Sequence, residues 1–168
     1  LIPIIEDAFK SLALEKTTMP PILRLDIEKY HGESDVKAAY IEGLDSYAIK
    51  VASGFFNNPK LGLPSSNGLM ILLDSKTGVL KSVLLDKGYL TDLRTAIAGA
   101  IAAKHLSNPE SSNVGIIGAG IQAKMQLEAL LLVRNIKSAY VWSRNSKKTN
   151  TFVENLKGKK ETVMGLAG

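Results

Sequence analysis

The chain has 168 residues, 45% apolar and 22% charged, with 21 Lys plus Arg against 16 Asp plus Glu for a formal charge of +5. That length suits one ordinary domain or two small ones, and the composition is that of a core-forming globular chain, excluding disordered, collagenous and disulfide-scaffold classes. Without cysteine there is no thiolate metal site or cysteine nucleophile, and with only His31 and His105 no metal centre is expected.

Residues 2 to 14 place Ile2, Ile5, Phe9 and Leu12 at helical spacing, and the two prolines of "TTMPP" then enforce an extended connection. From 22 to 86 the pattern turns to strands: "ILRLDI", "DVKAAYI", "SYAIKVAS", "GLMILLD" and "GVLKSVLLD", separated by "HGES", "EGLD", "NNPKLGLP" and "SKTG". This is at least a four-strand, mainly antiparallel sheet, with "LLDSKTGVLKSVLL" its surest hairpin. A helix is expected from about Leu90 to Leu106, capped by Thr91, with Leu93, Ile97, Ala100 and Ile101 inward. After the break at "SNPESSN" the pattern predicts a buried strand over 114–117, a helix over 121–134 with Ala123, Leu127, Leu130 and Leu131 inward, a strand over 138–143 and a helix over 146–156. Alternating strand and helix implies a parallel sheet. The expected fold is therefore α/β: an α+β unit over 1–110, then the opening of a parallel α/β unit over 111–168, with the boundary near Pro109.

The basic excess concentrates in 134 to 160, from Arg134 and Lys137 through Arg144, Lys147 and Lys148 to Lys157, Lys159 and Lys160. It suits an anionic small ligand better than nucleic acid, because no aromatics are interleaved to stack on bases. The first residues, "LIPIIEDAFKSL", lack a basic leader region, and no apolar run approaches the ~20 residues of a membrane span. A cytoplasmic enzyme with no nucleic-acid or membrane partner is expected.

"NVGIIGAGIQAKMQ" carries the clearest chemistry. Gly118, Gly120 and Ala123 form G-x-G-x-x-A between a strand and a helix, so the segment Gly118, Ala119, Gly120, Ile121, Gln122 and Ala123 reads as a pyrophosphate turn. The first glycine permits the turn, the second lets the backbone approach the pyrophosphate, and the alanine packs the helix on the strand. The helix N-terminus adds free N–H groups. About 20 residues on, NAD-binding chains place an acid for the ribose, but "VWSRNSKK" has none. Ser143, Arg144 and Asn145 instead offer donors to a 2′-phosphate, so NADP(H) is favoured and NAD(H) is the alternative.

Three cations outside the turn are candidates for an anionic substrate. Arg94 falls in a first helical turn, where the dipole disfavours a cation by a few tenths of a kcal/mol, so either Asp92 or a substrate carboxylate should compensate it. Lys50 shares one strand face with Ala48 and Ala52 and projects into water or into a pocket. Arg24 is ambiguous by itself. His31 and His105 are assigned no chemistry.

Taken together, "PPILRLD", "YAIKVASGFFNNPKLGLPSSNGLMILLDSKTG", "LTDLRTAIAGAIAAKHL", "VGIIGAGIQA" and "VWSRN" resemble the ornithine cyclodeaminase/mu-crystallin family over nearly the whole chain. The resemblance implies a mixed-sheet α+β substrate and dimerisation domain over 1–110, followed by the first half of a Rossmann dinucleotide-binding domain over 111–168. It also implies a homodimer in the full-length form, and a chain here that is an N-terminal fragment. By that resemblance Arg24 and Arg94 bind a substrate α-carboxylate and Lys50 lines the same site near the reacting carbon. Ser66, with Ser65 as the alternative, contacts substrate. In cyclodeaminases of the family, hydride leaves the α-carbon, the imine is attacked by the side-chain amine, ammonia departs and returned hydride gives proline. The general base is expected beyond this chain. Relatives also include imine or ketimine reductases, amino-acid dehydrogenases and mu-crystallin-like NADPH binders. "GFFNNPKLGLPSSNGLM" puts the cyclodeaminase first, acting on a small amino or imino acid, with the reductase, the dehydrogenase and a non-catalytic binder as alternatives. A half Rossmann sheet would also expose a strand edge prone to pairing or aggregation.

Overall fold

The β-branched and aromatic runs of residues 17 to 84 pair as expected of strands, each joined to its neighbour in an antiparallel ladder. The structure, a computed structural model, describes residues 1–156 and 162–165. Helix α1 (Ile2–Ala13) precedes β1 (Thr17–Thr18), β2 (Leu23–Ile27), β3 (Gly32–Ile41), β4 (Ser46–Phe55), β5 (Ser66–Asp74) and β6 (Leu80–Leu84). These six strands form one sheet in the order β1-β3-β4-β5-β6, with β2 also on β3. The β5–β6 hairpin is present as expected. β3 is longer than its sequence pattern suggested: Gly32, Glu33 and Ser34 of "HGES" pair with Ile27, Asp26 and Leu25 on one side and with Phe55, Gly54 and Ser53 on the other. Only His31 turns, at φ 48°.

The register sorts the sheet into two faces. One carries Arg24, Asp35, Ala52 and Gly68 in one row and Lys37, Lys50, Met70 and Leu84 in the next. The other carries Leu23, Val36, Val51 and Leu69, then Ala38, Ile49, Ile71 and Val83. Lys50 thus sits on the polar face, and the expected alternation of Lys50 against Ile49 and Val51 holds.

Helix α2 spans Tyr89–Leu106 and buries Ala96, Ile97, Ala100 and Ile101. It starts earlier than expected, and Thr91 is not its cap. The Asp86 carboxylate accepts the N–H groups of Leu90 at 2.6 Å and Gly88 at 3.2 Å, so an acid upstream of the helix satisfies its first donors. β7 (Asn113–Ile117), α3 (Ile121–Leu130), β8 (Ser138–Trp142), α4 (Ser146–Leu156) and β9 (Thr162–Gly165) follow, with β7-β8-β9 in one parallel sheet. Two expectations are corrected here. α3 stops at Leu130, before Arg134, and β7 is half-exposed rather than buried, with Ile117 at 87% exposure. Among the described residues β7 has a partner on one side only, so Ile117 has nothing to pack under.

Contacts divide the chain into two compact units, Glu6–Thr91 and, with Leu1–Ile5, Asp92–Gly168. The division falls inside α2, whereas the composition break at Pro109 lies between α2 and β7. Buried apolar side chains among the described residues all lie between Ala96 and Leu156. Ala139 and Val141 of β8 are sealed under Leu127, Phe152, Val153 and Leu156, and Ala96 and Ala100 of α2 meet Ala129 of α3. No described helix is long and apolar enough to cross a membrane, and no described cluster of acids and histidines is placed to hold a metal.

Candidate functional site

Gly118 adopts φ +117°, a conformation that strongly favours glycine, and its N–H donates to the Trp142 carbonyl at 2.7 Å. That bond ties the turn to the end of β8. A Cβ built on Gly118 or Gly120 would meet nothing within 4 Å, so the backbone here is open to a ligand. Gly120 is the N-cap of α3 with no side-chain capping bond, which leaves the first N–H groups of α3 for water or an anion. Ala123 packs against the core below, as the third position of such a turn requires. The donor set fits a pyrophosphate.

A cleft of about 380 Å³ runs from Gly118, Ala119 and Gly120 past Trp142 and Ser143 to Arg144, Asn145 and Lys148. A second, of about 850 Å³, is lined by Gly120, Ile121, Lys124, Lys147, Lys148 and Thr151 among others. In the β8–α4 loop the Ser143 hydroxyl donates to the Asn145 carbonyl at 2.9 Å and lies 2.8 Å from the Thr149 hydroxyl. Asn145 Oδ1 accepts the Lys148 N–H at 3.1 Å and so caps α4. Ser143 and Asn145 therefore shape the loop. The exposed side chains of Arg144, Lys147 and Lys148 make no hydrogen bond or ion pair among the described residues, which leaves their charge for an anion.

Not all of the basic excess belongs here. Arg134 donates to the carbonyls of Ala103 at 3.0 Å, Lys104 at 2.6 Å and Ser107 at 3.3 Å, and to the Ser107 hydroxyl at 3.0 Å, so it closes the C-terminal end of α2. Lys157, Lys159 and Lys160 lie outside the described residues.

At the other end of α2, Arg94 is exposed and makes no hydrogen bond or ion pair among the described residues. Asp92 does not neutralise it. Residues two apart on a helix do not face each other, and the Asp92 carboxylate accepts instead from Gln122 Nε2 of α3 at 2.8 Å. Gln122 therefore offers a ligand at the turn its backbone rather than its amide.

In the sheet unit, Arg24 and Lys50 share the polar face. The Arg24 guanidinium lies 2.9 Å from Asp26, 2.5 Å from Glu33 and 3.9 Å from Asp35. Hydrogen bonds to Asp26 and then Glu33 hold its pKa above the ordinary arginine value. Lys50 is half-buried, directly opposite Lys37 on β3 and Met70 on β5. Like charges face to face are unfavourable, and Asp35 Oδ2 at 3.0 Å from Lys37 Nζ offsets them. Asp35 Oδ1 is buried without a hydrogen-bond partner. Ser66 is exposed at the start of β5, opposite Gly54, on the same face, while the Ser65 carbonyl accepts the Phe55 N–H at 2.8 Å.

Sequence reasoning passed over Asp35, Lys37 and the contact of Asp92 with Gln122. The first two were legible as neighbours on the face of Lys50 once the β3–β4 register was known. Asp92 was weighed only against Arg94, because nothing in the sequence points it at Gln122.

An antiparallel sheet followed by a parallel strand-turn-helix-strand unit with this glycine turn defines a chain of the Rossmann-type dinucleotide-binding class. The chain belongs to the ornithine cyclodeaminase/mu-crystallin family, whose model matches residues 1–166. It is 58% identical over 153 residues to an uncharacterized cyclodeaminase of Sinorhizobium fredii, covering 90% of this chain and 46% of that protein. Among solved structures it is similar to the Thermococcus litoralis Δ1-pyrroline-2-carboxylate reductase in complex with NADH and L-proline, with a TM-score of 0.93, 34% identity and coverage of 99% of this chain and 52% of that one. An archaeal alanine dehydrogenase dimer with bound NAD has a TM-score of 0.90 and 32% identity, with coverage of 99% and 50%. The chain thus spans about half the length of the proteins it matches.

Proposed function

We propose that this chain supplies the substrate face and the pyrophosphate turn of an enzyme that moves hydride at the nitrogen-bearing α-carbon of a small amino or imino acid. The reaction placed first is a cyclodeaminase-type cyclisation with loss of ammonia. The observation that carries the substrate half is the polar sheet face, where Arg24 lies opposite Asp35, whose buried Oδ1 is 3.9 Å from the guanidinium and accepts no hydrogen bond, and Lys50 stands in the next row. Two cations match a carboxylate, and a buried acceptor without a donor is costly until something such as a substrate N–H supplies one. Arg94 and Ser66 are assigned to the same substrate by the family pattern.

A bound nicotinamide dinucleotide would supply the hydride acceptor and donor. Gly118 to Ala123 would hold its pyrophosphate, and Arg144 with Ser143, Asn145 and Lys148 its adenosine end. The unpaired Arg144, Lys147 and Lys148, with no acid in residues 138–148, support NADP(H) over NAD(H). Residues 1–110 take the substrate and dimer role in this reading, and 111–168 the cofactor role. The apolar face of Leu23, Val36, Val51, Leu69, Ile49 and Ile71 has no buried core of its own, which supports a second copy as its cover in a homodimer.

Titrating Trp142 fluorescence with NADPH and with NADH tests the cofactor half. Saturable quenching that favours NADPH, and loses that preference in Arg144→Ala, is the expected result; no quenching by either nucleotide defeats it. Ammonia release from L-ornithine without net change in NADPH then identifies the cyclodeaminase. The likeness to the T. litoralis enzyme favours a second reading as a cyclic-imine reductase, for which NADPH oxidation with Δ1-pyrroline-2-carboxylate and no ammonia is the signature. Quenching with neither activity leaves a mu-crystallin-like NADPH binder.

A further inference from the structure

The glycine turn that suits a pyrophosphate is poorly fixed by its own residues. Gly118 and Gly120 are open on their Cβ sides, and the N-cap of α3 makes no side-chain bond. The first anchored side chain after the turn is Gln122, at the second position of α3. Its Nε2 donates to Asp92 Oδ1 at 2.8 Å and lies 3.2 Å from the Asp92 carbonyl. Its Oε1 accepts from Gln126 Nε2 at 3.4 Å, which orients the amide so that the NH2 points at Asp92. The Gln126 side chain is in turn seated against Gly99 of α2, where a Cβ would come within 2.8 Å of its Oε1. Ala129 against Ala96 and Ala100 continues the contact, and Arg134 closes it at the far end of α2. Helix α2 is therefore the ground to which the first turn of α3 is bolted, and the bolt nearest the glycines is a partly buried, charge-assisted hydrogen bond.

We infer that Asp92 is a positioning residue for the dinucleotide turn, acting through Gln122 to hold the first N–H groups of α3 in their phosphate-binding arrangement before ligand arrives. This rests on the cofactor reading above. The acid touches no ligand. A turn held ready loses less freedom on binding, so affinity for any ligand with a pyrophosphate at the turn rises. Ligands that engage only the adenosine end gain nothing. The carboxylate also lies in the first turn of α2, where the helix dipole favours a negative charge.

The experiment is a double-mutant cycle on the full chain, read by Trp142 fluorescence with three probes: NADPH, NADH and adenosine 2′-monophosphate, which has no 5′-phosphate to place at the turn. Asp92→Ala and Gln122→Ala are each expected to weaken both dinucleotides on the order of five- to tenfold, the effect of losing one hydrogen bond to a charged group that is only partly buried. The double variant should be no weaker than either single one. Binding of the 2′-monophosphate should be unchanged, and Asp92→Asn, which keeps an acceptor oxygen, should recover most of the loss. Equal weakening of all three probes, or additive losses, would show that the pair only stabilises the unit and would overturn the inference. A native chain that binds neither dinucleotide defeats the cofactor reading itself, and the inference with it, so the two failures are told apart by the unsubstituted protein.

Discussion

Arg24 has more carboxylate around it than a substrate-gripping arginine requires. Asp26 and Glu33 both bond it, at a site where the guanidinium is about half exposed, so the pairs are screened and individually weak. A substrate carboxylate would have to share or displace one of them. Glu33→Gln is therefore expected to strengthen binding of a carboxylate ligand, with L-proline in the presence of NADH as the probe. The gain should be up to about fivefold, the range set by an exposed ion pair. Weaker binding in that variant would mean that Glu33 orients Arg24 rather than competes for it. The arginines were visible as candidates in the sequence, but the partners of Arg24 were not. Asp26 is close in sequence, whereas Glu33 reaches Arg24 only because β2 and β3 pair with Asp26 opposite Glu33.

At the scale of elements, two features of the sheet make direct demands on single residues. Gly68 of β5 has no room for a side chain, since a Cβ would lie 2.6 Å from the Val51 carbonyl oxygen of β4. A backbone atom cannot swing aside as a side chain can. Gly68→Ala should cost about 1–3 kcal/mol in denaturant unfolding, as overpacking against fixed atoms does, whereas Gly99→Ala, which meets only the movable end of Gln126, should be close to neutral.

The β5–β6 turn is held by Asp74. The Lys76 N–H, then the Thr77 hydroxyl and N–H, keep its carboxyl below the usual carboxylate range. A carboxyl whose pKa is lower in the folded chain contributes stability that is fully present above its unfolded value of about 3.9 and is lost as pH falls through the folded one. The difference in unfolding free energy between the native chain and Asp74→Asn should therefore be constant near neutral pH and shrink below about pH 4. A difference that grows in acid would refute the assignment. The "DSKTG" turn and its hairpin were readable from local chemistry alone. The continuation of β3 through Gly32–Ser34 was not, because those residues are strand only by virtue of neighbours on both sides.

For the whole molecule, the two units differ in how they are covered. The parallel sheet has a sealed layer at β8, with Ala139 and Val141 at 0% exposure, but β7 presents Ile117 at 87%. An apolar residue on an open strand edge invites pairing with another chain. Ile117→Lys should raise the concentration at which the chain stays monodisperse in light scattering, with no change in its far-UV circular dichroism. Unchanged association in that variant would point to the apolar face of the antiparallel sheet instead. By itself the sequence determined the elements and their order, the glycine turn and the cations to be tested, because helix period, strand alternation and turn residues are local properties. The tertiary structure alone decided that Asp92 serves Gln122 and leaves Arg94 unpaired among the described residues, and that Asp35 lies opposite Arg24 with one oxygen buried. Each of those depends on strand register or on the face a helix turns to its neighbour, and both are set by packing between segments distant in the chain.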